Sequence, residues 1–134
     1  MHLASSYLPG ITVITVAGEV DATASGHLET YLDQVRRRLD EHLVIDAHRL
    51  TFLDSSGLSV LLAAATLARA HGVDVHLAGL QPTVARILEI TGTAELVTLH
   101  DRISQAVTAV QALRDAAPGE PGEPGEPAEP SEAV

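Results

Sequence analysis

Asp54-Ser55-Ser56-Gly57-Leu58 is the stretch of this sequence best suited to chemistry, with two hydroxyls and a carboxylate side by side. It follows an apolar run at 43–47 that reads as a buried strand. It precedes a long alanine-rich apolar run at 58–70 that reads as a helix. The spacing therefore puts the hydroxyls at a strand-to-helix turn. A serine there can cap the helix by accepting hydrogen bonds from N–H groups that the first turn leaves free. The same N–H groups, with the positive end of the helix dipole, also suit a phosphate. A capping serine and a phosphorylated serine want the same place, and the pattern alone leaves Ser55 and Ser56 equivalent.

Other chemistries find less support. An esterase needs a nucleophile, a base and an oxyanion hole, and usually Gly-x-Ser-x-Gly; here the context is Leu53-Asp54-Ser55-Ser56-Gly57. There is no lysine, so a phosphate-binding loop of the Gly-Lys-Ser/Thr type is excluded. There is no cysteine, which rules out disulfides, a thiolate nucleophile and cysteine-bound zinc. The seven histidines, at 2, 27, 42, 48, 71, 76 and 100, show no tight metal-ligand spacing. They read as surface or partly buried side chains.

The elements that must position the serines come from a chain of 134 residues, which suits one domain. Apolar residues make up 46%, with one Phe, two Tyr and no Trp, so the core is aliphatic. Net charge is −10. Five of the acidic residues, Glu120, Glu123, Glu126, Glu129 and Glu132, lie in a Pro-Gly-Glu tail. Without them thirteen acidic residues face eight arginines, a net charge of −5. That balance disfavours sequence-independent nucleic-acid binding, which relies on neutralising phosphates. No run approaches the ~18 apolar residues of a membrane span. The first residues lack a basic segment followed by an apolar one, so no secretion signal is expected and the cytoplasm is the expected location.

Along the chain, a short strand is expected at 2–8, a turn at Pro9-Gly10, and a β-branched strand at 11–17 with one face drier than the other. Asp21 or Thr23 should cap a helix running to about Leu39, with Leu28, Leu32, Val35 and Leu39 on one stripe. The run at 43–47 lacks alternation, which predicts burial on both faces and parallel neighbours. Residues 49–53 read as a connector. The helix after the serines should stop at Gly72, followed by a strand at 73–78. Gly79-Leu80-Gln81-Pro82 reads as a loop with the proline near the start of a helix, which carries Val84, Ile87, Leu88 and Thr91 in a stripe and ends at Gly92. A strand at 96–99 and a last helix capped by Asp101 follow, with Ile103, Ala106, Val107, Val110 and Leu113 facing inward. Alternating strands and helices predict an α/β fold over 1–115, a small mixed and mostly parallel sheet packed against about four helices. The early hairpin would add an antiparallel edge. Residues 116–134 have almost nothing to bury and should form a disordered acidic tail.

Four pieces together resemble a known family. They are Gly18-Glu19-Val20-Asp21; Val44-Ile45-Asp46; Phe52-Leu53-Asp54-Ser55-Ser56-Gly57-Leu58; and Pro82 to Gly92 with Ile87-Leu88-Glu89-Ile90-Thr91-Gly92. In this order they resemble a STAS domain, in particular the small anti-sigma factor antagonists of bacteria, from about Ile11 to Leu113. The resemblance implies a binding protein rather than an enzyme, with no catalytic residue, cofactor or metal of its own. Its expected partner is an anti-sigma factor that is also a Ser/Thr kinase. Binding would release a sigma factor, phosphorylation would disable the antagonist, and a Ser/Thr phosphatase would restore it. Carried onto this sequence, the phosphoacceptor is Ser55. Ser56 and Gly57 would shape the turn, and Asp21 and Asp54 would flank the docking surface. An alternative role within the same resemblance is a regulatory STAS subunit of a membrane lipid-transport complex, bound to its ATPase subunit without entering the membrane itself. Ser59 stands where many members have Gly, the following helix is poor in basic residues, and the acidic tail is foreign to the pattern.

Overall fold

The computed structural model describes residues 1–116; the expected acidic tail lies outside the described residues. The chain opens with a hairpin of β1 (His2–Leu8) and β2 (Ile11–Val20), paired antiparallel through the turn at Pro9-Gly10. Then come α1 (Ser25–Val35), β3 (His42–Asp46), β4 (Leu50–Leu53) and α2 (Ser55–Ala70). They are followed by β5 (Val75–Ala78), α3 (Pro82–Thr91), a 3₁₀ turn at Ala94–Leu96, β6 (Thr98–His100) and α4 (Ile103–Ala116). The sheet order is β1-β2-β3-β5-β6, parallel beyond the first hairpin, with β4 pairing in parallel to the far end of β2. This is the mixed, mostly parallel α/β sheet with four helices that the alternation predicts.

Helices cover both faces of the sheet. Ile14, Val16, Leu43, Ile45, Val75 and Leu77 face the larger core, into which α1, α2 and α3 send Leu28, Leu32, Leu58, Leu61, Val84 and Leu88. Ile11, Val44 and Ala78 face the opposite way and meet Ala106 and Val110 of α4. The run at 43–47 lacks alternation because β3 is central: Leu43 and Ile45 serve one core and Val44 the other. Each such aliphatic side chain contributes about 1.5–3 kcal/mol on burial.

Several boundaries differ from the sequence expectation. The β2 strand, expected to have one wetter face, is largely buried on both. Its Thr12 is fully buried, and the hydroxyl donates to Glu41 Oε1 at 3.1 Å, which satisfies a polar group in the core. Helix α1 stops at Val35, four residues short of Leu39, and Leu39 is left 42% exposed. Arg36 turns extended at ψ 119°, and its guanidinium donates to the carbonyls of Leu39 and Glu41, holding a tight return towards β3. No side chain caps α1; Asp21 instead closes the turn before it. Residues 50–53 form a strand, because Leu50 and Leu53 are both buried and the bulge at Gly18/Glu19 brings β2 alongside them. The last strand starts at Thr98 rather than 96, after the 3₁₀ turn. Arg102, not Asp101, opens α4: its carbonyl accepts from the N–H groups of Gln105 and Ala106. Leu113 stays half exposed, while Ala106 and Val110 are buried. Gly92 ends α3 with φ 70°, as its position predicts.

Candidate functional site

The serine turn is built from the C-terminal ends of two parallel strands. Val20 of β2 and Leu53 of β4 are register partners, and Asp21 and Asp54 follow them directly, so both carboxylates leave the sheet at the same edge. The N–H of Asp54 donates to the Val20 carbonyl at 3.2 Å, which ties the start of α2 to β2.

The helix cap is Asp54, not a serine. It adopts extended geometry (φ −97°, ψ −173°), and its Oδ1 accepts from the N–H groups of Ser56 at 2.9 Å and Gly57 at 3.1 Å. Oδ1 also accepts from the Ser56 hydroxyl at 2.6 Å. These bonds, with the Ser56 hydroxyl contributing most and Gly57 N–H next, hold the Asp54 carboxyl below the usual carboxylate range. Asp21 is likewise held ionised, chiefly by the Thr23 hydroxyl, which donates to Asp21 Oδ1 at 2.7 Å, with the Thr23 N–H at 3.0 Å. The turn therefore presents two carboxylates near the start of α2, where the helix dipole favours them.

The geometry separates the two serines, which the sequence leaves equivalent. Ser56 is half-buried, with its hydroxyl bound to Asp54. Ser55 is exposed as the first residue of α2, and its hydroxyl bonds to none of the described residues. Its carbonyl accepts from the Ser59 hydroxyl at 2.8 Å, so Ser59 braces the turn one helical turn further on. Of the N–H groups in the first turn, those of Ser56 and Gly57 are already engaged by Asp54.

Gly57 is where the helix touches the sheet. A Cβ built there would lie 2.6 Å from Leu53 Cδ1, 2.8 Å from Val20 Cγ1 and 2.9 Å from the Val20 carbonyl oxygen. Only hydrogen fits, so α2 seats its first turn directly on β2 and β4. One residue that sequence reading left in a connector also belongs here. Phe52, the sole phenylalanine, is 46% exposed on β4 next to the turn. The pattern Leu50-Thr51-Phe52-Leu53, with both leucines inward, is the signal that could have placed it outward. Among the described residues, no group of three or more histidines and carboxylates is placed to hold a metal ion. No helix among them is long and apolar enough to cross a membrane.

The STAS domain model matches residues 5–106, most of the chain and all of the serine turn. The chain belongs to the STAS domain family. This STAS domain is 29% identical to the anti-sigma F factor antagonist of Paenibacillus polymyxa, over 78% of this chain and 90% of that protein. It is 31% identical to the anti-sigma-F factor antagonist RsfA of Mycobacterium tuberculosis, over 72% of this chain and 77% of that one. Among solved structures it resembles the anti-sigma factor antagonist SpoIIAA in its unphosphorylated form. The TM-score there is 0.69 and identity 19%, covering 83% of this chain and 97% of that chain. The Bacillus protein in its phosphorylated form gives a TM-score of 0.62 at 18% identity, covering 81% and 99%. At that identity the structural likeness establishes the fold, a STAS sheet with its four helices.

Proposed function

We propose that this STAS domain is an anti-sigma factor antagonist governed by phosphorylation of Ser55. Unmodified, it binds an anti-sigma factor that is also a Ser/Thr kinase, and the sigma factor is released. The kinase phosphorylates Ser55, the antagonist lets go, and a Ser/Thr phosphatase resets it. The protein performs no catalysis of its own, and its work lies in the cytoplasm with these partners. The observation that carries the reading is the contrast between the serines: Ser55 offers a free, exposed hydroxyl, whereas the Ser56 hydroxyl is committed to Asp54. The names of the curated relatives point the same way, and SpoIIAA exists in phosphorylated and unphosphorylated forms.

The mechanism is a charged interface rather than unfolding. A phosphate adds about −1.5 to −2 charges at neutral pH. On Ser55 it stands beside the ionised Asp54, across the turn from Asp21, with the Ser56 and Gly57 N–H groups already occupied by Asp54. Asp21, Asp54, Ser56 and Gly57 form the docking edge, and the added charge opposes any partner surface packed against it. A coupling of about 1–3 kcal/mol corresponds to roughly 5- to 150-fold in affinity, enough to exchange partners. The test is phosphate mapping after incubation with the cognate kinase, and calorimetric binding of Ser55→Ala, Ser55→Asp and Ser56→Ala. Ser55→Ala binds and resists phosphorylation, Ser55→Asp binds more weakly, and Ser56→Ala still accepts phosphate. Phosphate on Ser56 of the Ser55→Ala protein at the wild-type rate overturns the site. Equal affinity of modified and unmodified protein overturns the switch.

A further inference from the structure

Three histidines form a diagonal row across the sheet on the face covered by α4. His42 opens β3, His76 lies in β5 and His100 closes β6. Their common face follows from the register: His42 pairs with Ile11 and His100 with Ala78, and both partners belong to the core under α4. The His76 ring is stacked on that of His100, 5.3 Å between centroids and 22° between planes. It is tilted at 60° to His42, 5.7 Å away. His76 Nδ1 and His100 Nε2 are 3.0 Å apart, so one donates and the other accepts.

This row is poorly equipped to carry charge. His76 is only 2% exposed, and its Nε2 has no hydrogen-bond partner; neither has Nδ1 of the half-buried His42. The buried layer on this face is apolar: Ile11 and Val13 from β2, and Ala106 and Val110 from α4. Charged groups gather at the ends of the row: His42 shares a cleft with Arg38, Asp40, Glu41 and Arg114, and His100 lies beside Asp101. Asp74, just before β5, favours protonation of both His42 and His76, whereas Arg114 of α4 opposes it at His42. A proton on His76 would set a cation in this apolar layer between two other imidazoles, with an unpartnered N–H. The cover above is slight. Ala106 and Val110 of α4 are fully buried and Ile103 and Val107 partly so, Arg114 donates to the Pro9 carbonyl, and among the described residues α4 is the one helix on this face. An element held by two fully buried side chains at the sheet's outer face opens more readily than the central strands.

We propose that α4 is an acid-released strap: the neutral histidine row holds it on the sheet, and protonation of His76 under mildly acidic conditions lets it go. Burial, with the charges of His42 and His100 next, pushes His76 down from 6.5 to about 4. The lowered value fixes the sign. The closed form binds fewer protons than the open form between the two values. Its stability is therefore complete above pH ~6.5 and declines as pH falls towards 4. If opening restores the ordinary value, acidification from about pH 7.5 to about pH 5 raises the opening constant roughly 30-fold. The strap acts on the opposite face of the sheet from the core that seats α2, so its response is independent of Ser55.

The test is hydrogen exchange on the full chain at both pH values, expressed as protection factors so that intrinsic exchange is removed. The expected result is a fall of about 30-fold in protection across α4, with the β2 and β3 amides little changed. His76→Leu abolishes that fall, while His48→Gln, which alters an exposed histidine paired with Asp46, preserves it. An NMR titration of the wild-type rings supplies a readout that needs no variant: His76 must titrate well below 6.5. Unchanged protection across α4, a fall that persists in His76→Leu, or a His76 midpoint near 6.5 each overturns the proposal.

Discussion

Substituting Gly57 by alanine tests how tightly α2 is seated on the sheet. Two of the three atoms the new methyl would meet are side-chain atoms, Leu53 Cδ1 and Val20 Cγ1, both fully buried and with little room to turn. The third, the Val20 carbonyl oxygen at 2.9 Å, is main chain and already accepts the N–H of Asp54. Relief therefore requires α2 to lift from β2, which stretches the bond that fixes the cap residue. Overpacking of this kind costs about 1–3 kcal/mol. Replacing glycine in a helix returns up to about 1 kcal/mol through propensity. The net expectation is a loss of about 1–2 kcal/mol, and for a domain of this size each kcal/mol moves the thermal midpoint by roughly 3–6 °C. Gly26 supplies the control. It lies in the first turn of α1, and a Cβ built there meets nothing within 4 Å, so Gly26→Ala should be neutral or stabilising. Calorimetric or dichroic melting of the two variants beside wild type decides the matter. Gly57→Ala melting with wild type, or both variants moving the midpoint in the same direction, would refute the packing argument.

Asp54→Asn keeps a capping oxygen but removes its charge. Because the carboxyl of Asp54 is held below its ordinary range, the stability it adds is complete above the unfolded value and is lost as pH falls through the lowered one. The variant should flatten the acid limb of a pH-stability curve, and an unchanged limb would count against Asp54 as the cap. Glu41→Ala leaves the buried Thr12 hydroxyl unpaired and removes the ion-pair partner of Arg37, whereas Thr12→Val leaves Glu41 with Arg37. Glu41→Ala should cost about 1–3 kcal/mol and Thr12→Val less, measured by urea denaturation. Deletion of residues 118–134 should leave the melting midpoint unchanged, since the sequence there offers almost no apolar side chain to bury; a drop of several degrees would show that the segment packs on the domain.

Local pattern determined much of this protein. The β-branched run at 11–17, the unalternating run at 43–47 and the amphipathic stripes through Leu28 and Leu32 or Val84 and Leu88 specify element type by periodicity alone. Proline at 82 and glycine at 92 mark helix ends because their backbone preferences are local. The same locality put two serines at a strand-to-helix turn. What periodicity could not carry is which strand lies beside which. That order makes a strand of residues 50–53, since their partner is the end of β2, far back in the chain, with Val20 beside Leu53. It sets Asp54 against Val20, which lets the carboxylate rather than a serine cap α2 and leaves Ser55 as the free hydroxyl. The histidines show the limit most plainly. In the sequence His42, His76 and His100 have no spacing that joins them, and only the adjacency of β3, β5 and β6 puts their rings in one row.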